Sequence, residues 1–197
     1  MKKAITYLRL AIGCILCFPH LLVFAFHHNK KVIAADIRRW LSIHKVDHGL
    51  SMGLIYLLSH LPEYRNLFYY RVGPIKYLLN LLCPKMSSLV INAESVGEGL
   101  YIQHGHSTRI GALSVGKNCW INQQVTIGWE QQGRPVILDN VRLGAGAKVI
   151  GKVVVGNNSI VGANAVIVKN VPDNCTVVGV YPVYIVRRNG QKVKETL

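Results

Sequence analysis

The sequence predicts a mainly β protein, a left-handed parallel β-helix set behind an α-helical N-terminal region. Three observations carry that fold class. Aliphatic residues recur every six positions, at Ile137, Leu143, Val149, Val155, Val161 and Ile167. Four residues after each stands a small or β-branched residue, in Val141, Ala147, Val153, Ser159, Ala165 and Val171. Glycine follows the aliphatic in Leu143-Gly144, Val155-Gly156 and Val161-Gly162. A period of six fits neither a helix nor a simple strand, so it marks an internal repeat. A three-sided coil satisfies it: each hexad gives one short strand and one corner, with the large aliphatic pointing inward. The small residue fits the crowded corner, and glycine or asparagine takes the tight bends, as in Gly156-Asn157-Asn158.

Going backwards, Val115, Ile121 and Ile127 keep the step, with Cys119 and Val125 in the small slot. Val90, Val96 and Ile102 begin the series, with Glu94, Leu100 and His106 in that slot. The count gives a little over four turns, a column on the order of 20 Å. Two breaks interrupt it. One extra residue falls between Thr108 and Val115, and four fall between Ile127 and Ile137. The second break makes a polar loop, Trp129 to Arg134, expected to stand off the column where function often sits.

The chain divides into a hydrophobic membrane-associating segment (1–29), a helical region (30–87), the β-helix (88–172) and a C-terminal extension with a basic tail (173–197). The run from Ala11 to Phe26 is broken by Pro19-His20 and flanked by Lys2, Lys3, Arg9, Lys30 and Lys31. Sixteen helical residues reach about 24 Å, short of the roughly 20 residues a crossing needs. A re-entrant or interfacial hairpin at the cytoplasmic side of a bacterial inner membrane is therefore expected; a single span and a buried core helix stay open. Lys30 to Lys45 reads as an amphipathic helix with Val32, Ile33, Ile37, Trp40 and Leu41 on one face, and Lys31, Asp36, Arg38 and Arg39 largely off it. Leu50 to Leu61 is a second helix, ended by Pro62. A third runs from Glu63 to Gly73-Pro74, its Arg65 and Arg71 read as packing among aromatics and touching lipid headgroups. Ile75 to Leu82 is a fourth. These helices are expected to cap the open first turn of the coil.

A net charge of +14 asks for a polyanionic neighbour. No helix-turn-helix, zinc-finger or RNA-binding signature presents that charge, so an anionic membrane surface or a phosphate-bearing ligand is expected and nucleic acid is not. Five cysteines are odd in number and unpatterned, which reads as reduced thiols. Cys14 and Cys17 form a C-x-x-C inside the hydrophobic run, where neither a redox nor a zinc role is expected.

The β-helix contains two histidines, His104 and His106. A lone histidine is ordinarily structural. The nearby register break and the loop 129–136 favour a groove with His104 as a base at its floor, while His106 is read as filling a corner slot. Zinc would need three ligands, and the repeats supply only His-Gly-His beside an inward-facing Cys119, so no metal is expected. Gly144-Ala145-Gly146-Ala147-Lys148 lacks the Lys-Ser/Thr ending of a phosphate loop and opens no helix. Its small residues would instead leave a smooth channel for a long ligand.

Several stretches resemble the serine acetyltransferase branch of the hexapeptide acyltransferases. They are Gly99-Leu100-Tyr101-Ile102-Gln103-His104, Thr108-Arg109-Ile110-Gly111, Gln123 to Gly128, Arg134-Pro135, Leu143 to Lys148, Gly162 to Ile167, and Gly179-Val180 with Pro182 to Val186. The resemblance covers roughly residues 88–188. It implies a homotrimer with acetyl-CoA in the groove between columns and His104 as general base. It also implies acetyl-CoA contacts from Thr126, Gly128, Ala145, Lys148, Ala163 and Arg187, and acceptor contacts from Gln103 and Arg134. Backbone N–H groups near Thr126 to Gly128 are the expected oxyanion donors. Glu94, Glu98 and Glu130 are the candidates for orienting His104.

The chain departs from the family at three points. Gln103 stands where the family has an Asp before its histidine, Leu89 where an orienting Asp stands one turn earlier, and Arg134 where a histidine precedes the loop proline. A site without those carboxylates lacks the counter-charge for a serine ammonium. With the hydrophobic leader, this resembles the capsular or exopolysaccharide O-acetyltransferases. The expected acceptor is a sugar hydroxyl on such a glycan or its lipid-linked precursor. Serine is the first alternative and a non-catalytic membrane-bound scaffold the second.

Overall fold

The computed structural model describes residues 13–179 and 184–196. Lys2, Lys3, Arg9 and Ala11 of the expected membrane segment, and Val180 to Val183 of the C-terminal extension, lie outside the described residues. The chain forms two compact units, residues 1–87 and 88–197.

In the first unit, α1 (Phe18–Phe26) starts with Pro19 in its first turn, where the missing N–H costs nothing. It buries His20 and Phe24 and leaves Phe18, Leu22 and Phe26 exposed. No helix among the described residues is long and apolar enough to cross a membrane. Next come α2 (Lys30–His44), closed by the left-handed Lys45, and α3 (Leu50–His60). They approach closely at Gly53, where a Cβ would stand 2.5 Å from Leu41. α4 (Pro62–Val72) ends at Gly73, whose φ of 66° favours glycine, and a 3₁₀ turn (Gly73–Ile75) leads into α5 (Lys76–Leu82).

Asp36 corrects the helical-wheel reading. It lies on the buried face of α2, 1% exposed, and takes a 2.8 Å ion pair from Arg71 of α4. Burying a carboxylate is tolerated only with such a partner, and the wheel cannot show a partner that arrives from another helix. Arg65 packs into the bundle as expected. Its guanidinium donates to the carbonyls of Leu58, Ser59 and Pro84, tying the α3–α4 junction to the unit's end.

The second unit is a parallel β-helix of about five turns, consistent with the left-handed hexapeptide coil. Face A stacks β1 (Leu89–Ile91), β4 (Thr108–Ile110), β7 (Thr126–Gly128), β10 (Lys148–Ile150) and β13 (Val166–Ile167). Face B stacks β2 (Ser95–Val96), β5 (Ser114–Val115), β8 (Val136–Ile137) and β11 (Val154–Val155). Face C stacks β3 (Tyr101–Ile102), β6 (Trp120–Ile121), β9 (Arg142–Leu143), β12 (Ile160–Val161) and β14 (Cys175–Val178). Because β14 pairs in parallel with β12, the coil runs on to Val178 instead of ending at Pro172. Antiparallel β15 (Tyr184–Arg188) and β16 (Gln191–Thr196) then extend face C.

The interior is the expected aliphatic ladder, with Ile121, Ile127, Leu143, Val149, Val155, Val161 and Ile167 all fully buried. Each such side chain stabilises by about 1.5–3 kcal/mol. Asn118, Asn140, Asn158 and Asn174 take left-handed backbone at the corner between faces B and C. Their side chains bond in sequence, Asn140 Nδ2 to Asn158 Oδ1 and Asn158 Nδ2 to Asn174 Oδ1, each at 3.0 Å.

The first two turns shift the predicted register. Ile91, not Val90, aligns with Ile110 and Ile127 on face A. The small slots hold the buried Ala93 and Thr108, while Glu94 and His106 are exposed. Thr108 is accepted there because its Oγ1 donates to the carbonyls of His106 and Asn122, at 3.2 and 3.4 Å. The aliphatic spacing is therefore eight from Ile102 to Ile110 and five from Ile110 to Val115. The insertion belongs to the corner that holds His104.

Candidate active site on the corner between faces C and A

Counted through the small slot, four corners stack where face C turns into face A: residues 103–108, 122–125, 144–147 and 162–165. Each turns through one left-handed residue just before the small slot, in order Ser107, Gln124, Gly146 and Asn164. Backbone bonds join them up the column: Gln124 N–H to His106 O at 2.8 Å, Gly146 N–H to Gln123 O at 3.0 Å, and Asn164 N–H to Ala145 O at 2.8 Å.

The lowest corner alone carries two additional residues and a second left-handed residue, His104, at φ 59°. The His106 N–H folds back on the His104 carbonyl. This bulge pushes the His104 side chain into solvent, where its ring has no partner among the described residues. Gln103 is half-buried beside it, its Oε1 accepting from Trp120 Nε1 at 3.1 Å. The same indole N–H reaches Asn122 Oδ1 at 2.8 Å, and Tyr101 meets the indole edge-on at 4.5 Å. Trp120 and Asn122 escaped the sequence reading; the one available signal was an aromatic at a solvent-facing strand position.

Above His104 the corner is stripped of bulk. A Cβ on Gly144 would stand 2.7 Å from the Ala163 nitrogen, so successive corners meet backbone to backbone. Ala145 and Ala163 line this shallow strip, and Lys148 enters from face A, its Nζ donating to Gln124 O at 2.6 Å. Thr126 and Gly128 stand on the same face, in β7. The structure thus gathers His104, Gln103, Ala145, Lys148, Ala163, Thr126 and Gly128 onto one corner and the face beside it.

Several of the expected site residues lie elsewhere within one chain. Arg134 sits on the corner between faces A and B, ion-paired to Glu94 at 3.2 Å and stacked over Trp129 at 5.9 Å. The width of face A, roughly 13 Å for four extended residues, separates that corner from His104. One column therefore does not close the expected groove. The loop exposes Trp129 to Gln132 and closes as a small hairpin, in which Glu130 and Gly133 exchange backbone bonds and Gly133 lies beside Lys152. Arg187 lies at a third place, lining a cavity with Asn158, Asn174, Thr176 and Asn189. The Thr126 N–H donates to the Ala147 carbonyl at 3.0 Å, so the ladder consumes an amide expected to serve an oxyanion. Among the described residues no carboxylate meets the His104 ring: Glu94 pairs with Arg134, Glu98 pairs with Lys117 at 3.2 Å, and Glu130 lies in the loop on the corner between faces A and B.

The bacterial transferase hexapeptide family (six repeats) matches residues 134–169. The serine acetyltransferase of Synechococcus elongatus is 36% identical over 178 residues, 83% of this chain and 71% of that protein. That of Bacillus pumilus is 38% identical over 110 residues, 53% of this chain, and the match spans about half of that relative's length. The crystal structure of the Neisseria gonorrhoeae serine acetyltransferase in complex with serine superposes with a TM-score of 0.59 at 26% identity, covering 81% of this chain and 70% of that one. These likenesses favour the serine alternative over the glycan acceptor expected from the sequence.

Proposed function

This chain belongs to the serine acetyltransferase family, a family of hexapeptide-repeat O-acetyltransferases, and we propose that its own reaction moves the acetyl group of acetyl-CoA onto an acceptor hydroxyl with His104 as general base. The observation that carries this reading is the enlarged corner, which presents an unpaired imidazole at the foot of a glycine- and alanine-lined strip. His104 takes the hydroxyl proton as the oxygen attacks the thioester carbonyl. The tetrahedral intermediate collapses, the carbon–sulfur bond breaks, and the proton passes to the departing thiolate, giving an O-acetyl ester and free CoA. General-base action of this kind contributes about 10²–10⁴ in rate, roughly 3–5 kcal/mol.

Acetyl-CoA lies along the strip against Ala145 and Ala163, with Thr126, Gly128 and Lys148 at its side. Arg134 and Arg187 join this site from a neighbouring copy in a homotrimer, because within one chain they occupy other corners. L-Serine is the first acceptor, supported by the relatives and by the serine complex of the Neisseria protein. One observation favours a second reading. The corner beside His104 offers an amide, Gln103, and a buried Leu89, with no carboxylate for an ammonium. That environment suits a sugar hydroxyl.

Acetyl-CoA with either L-serine or a lipid-linked oligosaccharide, read by CoA release and product mass, separates the readings. O-Acetylserine supports the first and an acetylated glycan the second. Neither product, with acetyl-CoA still bound, points to a non-catalytic scaffold. Exposed Ile15, Phe18, Leu22, Phe26, Tyr77, Leu78 and Leu81 on the helical unit, with the net charge of +14, support peripheral docking at the cytoplasmic face of an anionic membrane. Co-sedimentation with phosphatidylglycerol vesicles at low salt, absent with neutral vesicles, is the expected result.

A further inference from the structure

The helical unit holds three buried side chains whose ligand atoms all lie within 4.8 Å of one another: Cys17, His20 and Cys83. We propose that they form a zinc site. The two sulfurs are 3.5 Å apart. Zinc–sulfur bonds of about 2.3 Å set two sulfurs of a tetrahedron about 3.8 Å apart, so the pair needs to open by only a few tenths of an ångström. A disulfide would need them far closer, at about 2.05 Å.

His20 is fully buried and its second nitrogen is unexplained. Nε2 lies 3.0 Å from the Tyr69 hydroxyl, which in turn donates to the Cys83 carbonyl at 2.6 Å. That chain makes Nε2 the protonated nitrogen and leaves the Nδ1 lone pair buried without a partner. An orphaned buried acceptor is costly, and a bound cation that takes its lone pair removes that cost. The Tyr69 hydroxyl is the kind of outer partner that fixes a ligand imidazole.

Cys17 and His20 lie three residues apart on one helical face, and Cys83 closes α5. A cavity of about 270 Å³, lined by Leu16, Cys17, Ser59, Arg65, Leu82 and Cys83, opens beside the sulfurs and supplies room for a fourth ligand, a water or the Ser59 hydroxyl. Binding releases the two thiol protons to solvent, so the buried cluster of Zn²⁺, two thiolates and neutral imidazole carries no net charge. Zinc would pin the start of the unit to its end, across 66 residues of chain. Cys14 of the C-x-x-C is exposed and takes no part.

The full-length chain, purified without chelator, should carry about one zinc per chain by elemental analysis. After stripping and cobalt addition it should show thiolate-to-cobalt charge transfer and tetrahedral d–d bands. Cys83→Ser and His20→Ala should lose the stoichiometric metal, and Cys14→Ser should keep it. Tyr69→Phe, which is conservative enough to fold, should weaken zinc by about ten- to hundredfold. A Cys17–Cys83 disulfide in the purified protein, or free thiols that take up neither zinc nor cobalt, would overturn the site.

Discussion

The two units are stabilised by different means. The β-helix repeats one device: an inward aliphatic, a small corner residue and a left-handed turn, multiplied over about five turns. No single residue there is indispensable, because each corner contacts only its neighbours in the stack. The helical unit has no period. Its core packs large apolar side chains such as Trp40, Phe68 and Leu57, and it also buries single long-range polar contacts, of which Asp36–Arg71 is the clearest. The repeat uses equivalent contacts at many positions, whereas the bundle adds a buried charge pair that nothing else in it duplicates, a concentration of risk in two residues.

The largest expected effect follows from that concentration. Asp36→Ala removes the carboxylate that meets the buried Arg71 guanidinium, 5% exposed, and should cost about 3–5 kcal/mol. Denaturation followed by far-ultraviolet circular dichroism should show the helical signal lost early while the β signal persists. Simultaneous loss of both signals would break the contrast. A smaller effect is expected inside the repeat. Gly156→Ala places a Cβ 2.5 Å from the Asp173 nitrogen and 2.6 Å from the Pro172 carbonyl carbon, a backbone clash that should cost about 1–3 kcal/mol. A shift in the coil's melting midpoint alone would sharpen the comparison. The smallest effect belongs to His106→Ala. Since Thr108, not His106, fills the slot, stability should move by no more than about 0.5 kcal/mol in the same assay.

The fold was legible wherever corners had equal length. From Val115 to Ile167 the step of six is interrupted only by the loop, and every inward residue in that stretch was read correctly. Beyond it Val171, read as a small slot, aligns with the inward Val155, and the inward Val177 was placed outside the coil. The first turns misled for a specific reason. The His104 corner gains two residues and the next corner loses one, so counting aliphatics detects only the net single insertion and places it late. Leu89-Val90-Ile91 offers no alternation to correct the choice. The separation of His104 from Arg134 was hidden because sequence distance does not say which corner a loop leaves from. The Cys17–Cys83 contact was hidden because nothing periodic links residues 66 apart in an irregular bundle.

The central claim is that the enlarged corner exists to present His104 as a base. CoA release from acetyl-CoA, measured for the native chain and for His104→Ala with each acceptor, tests it most directly. The account predicts a fall in turnover of about two to four orders of magnitude with acetyl-CoA binding and oligomeric state unchanged. Near-native turnover by the His104→Ala protein would contradict it.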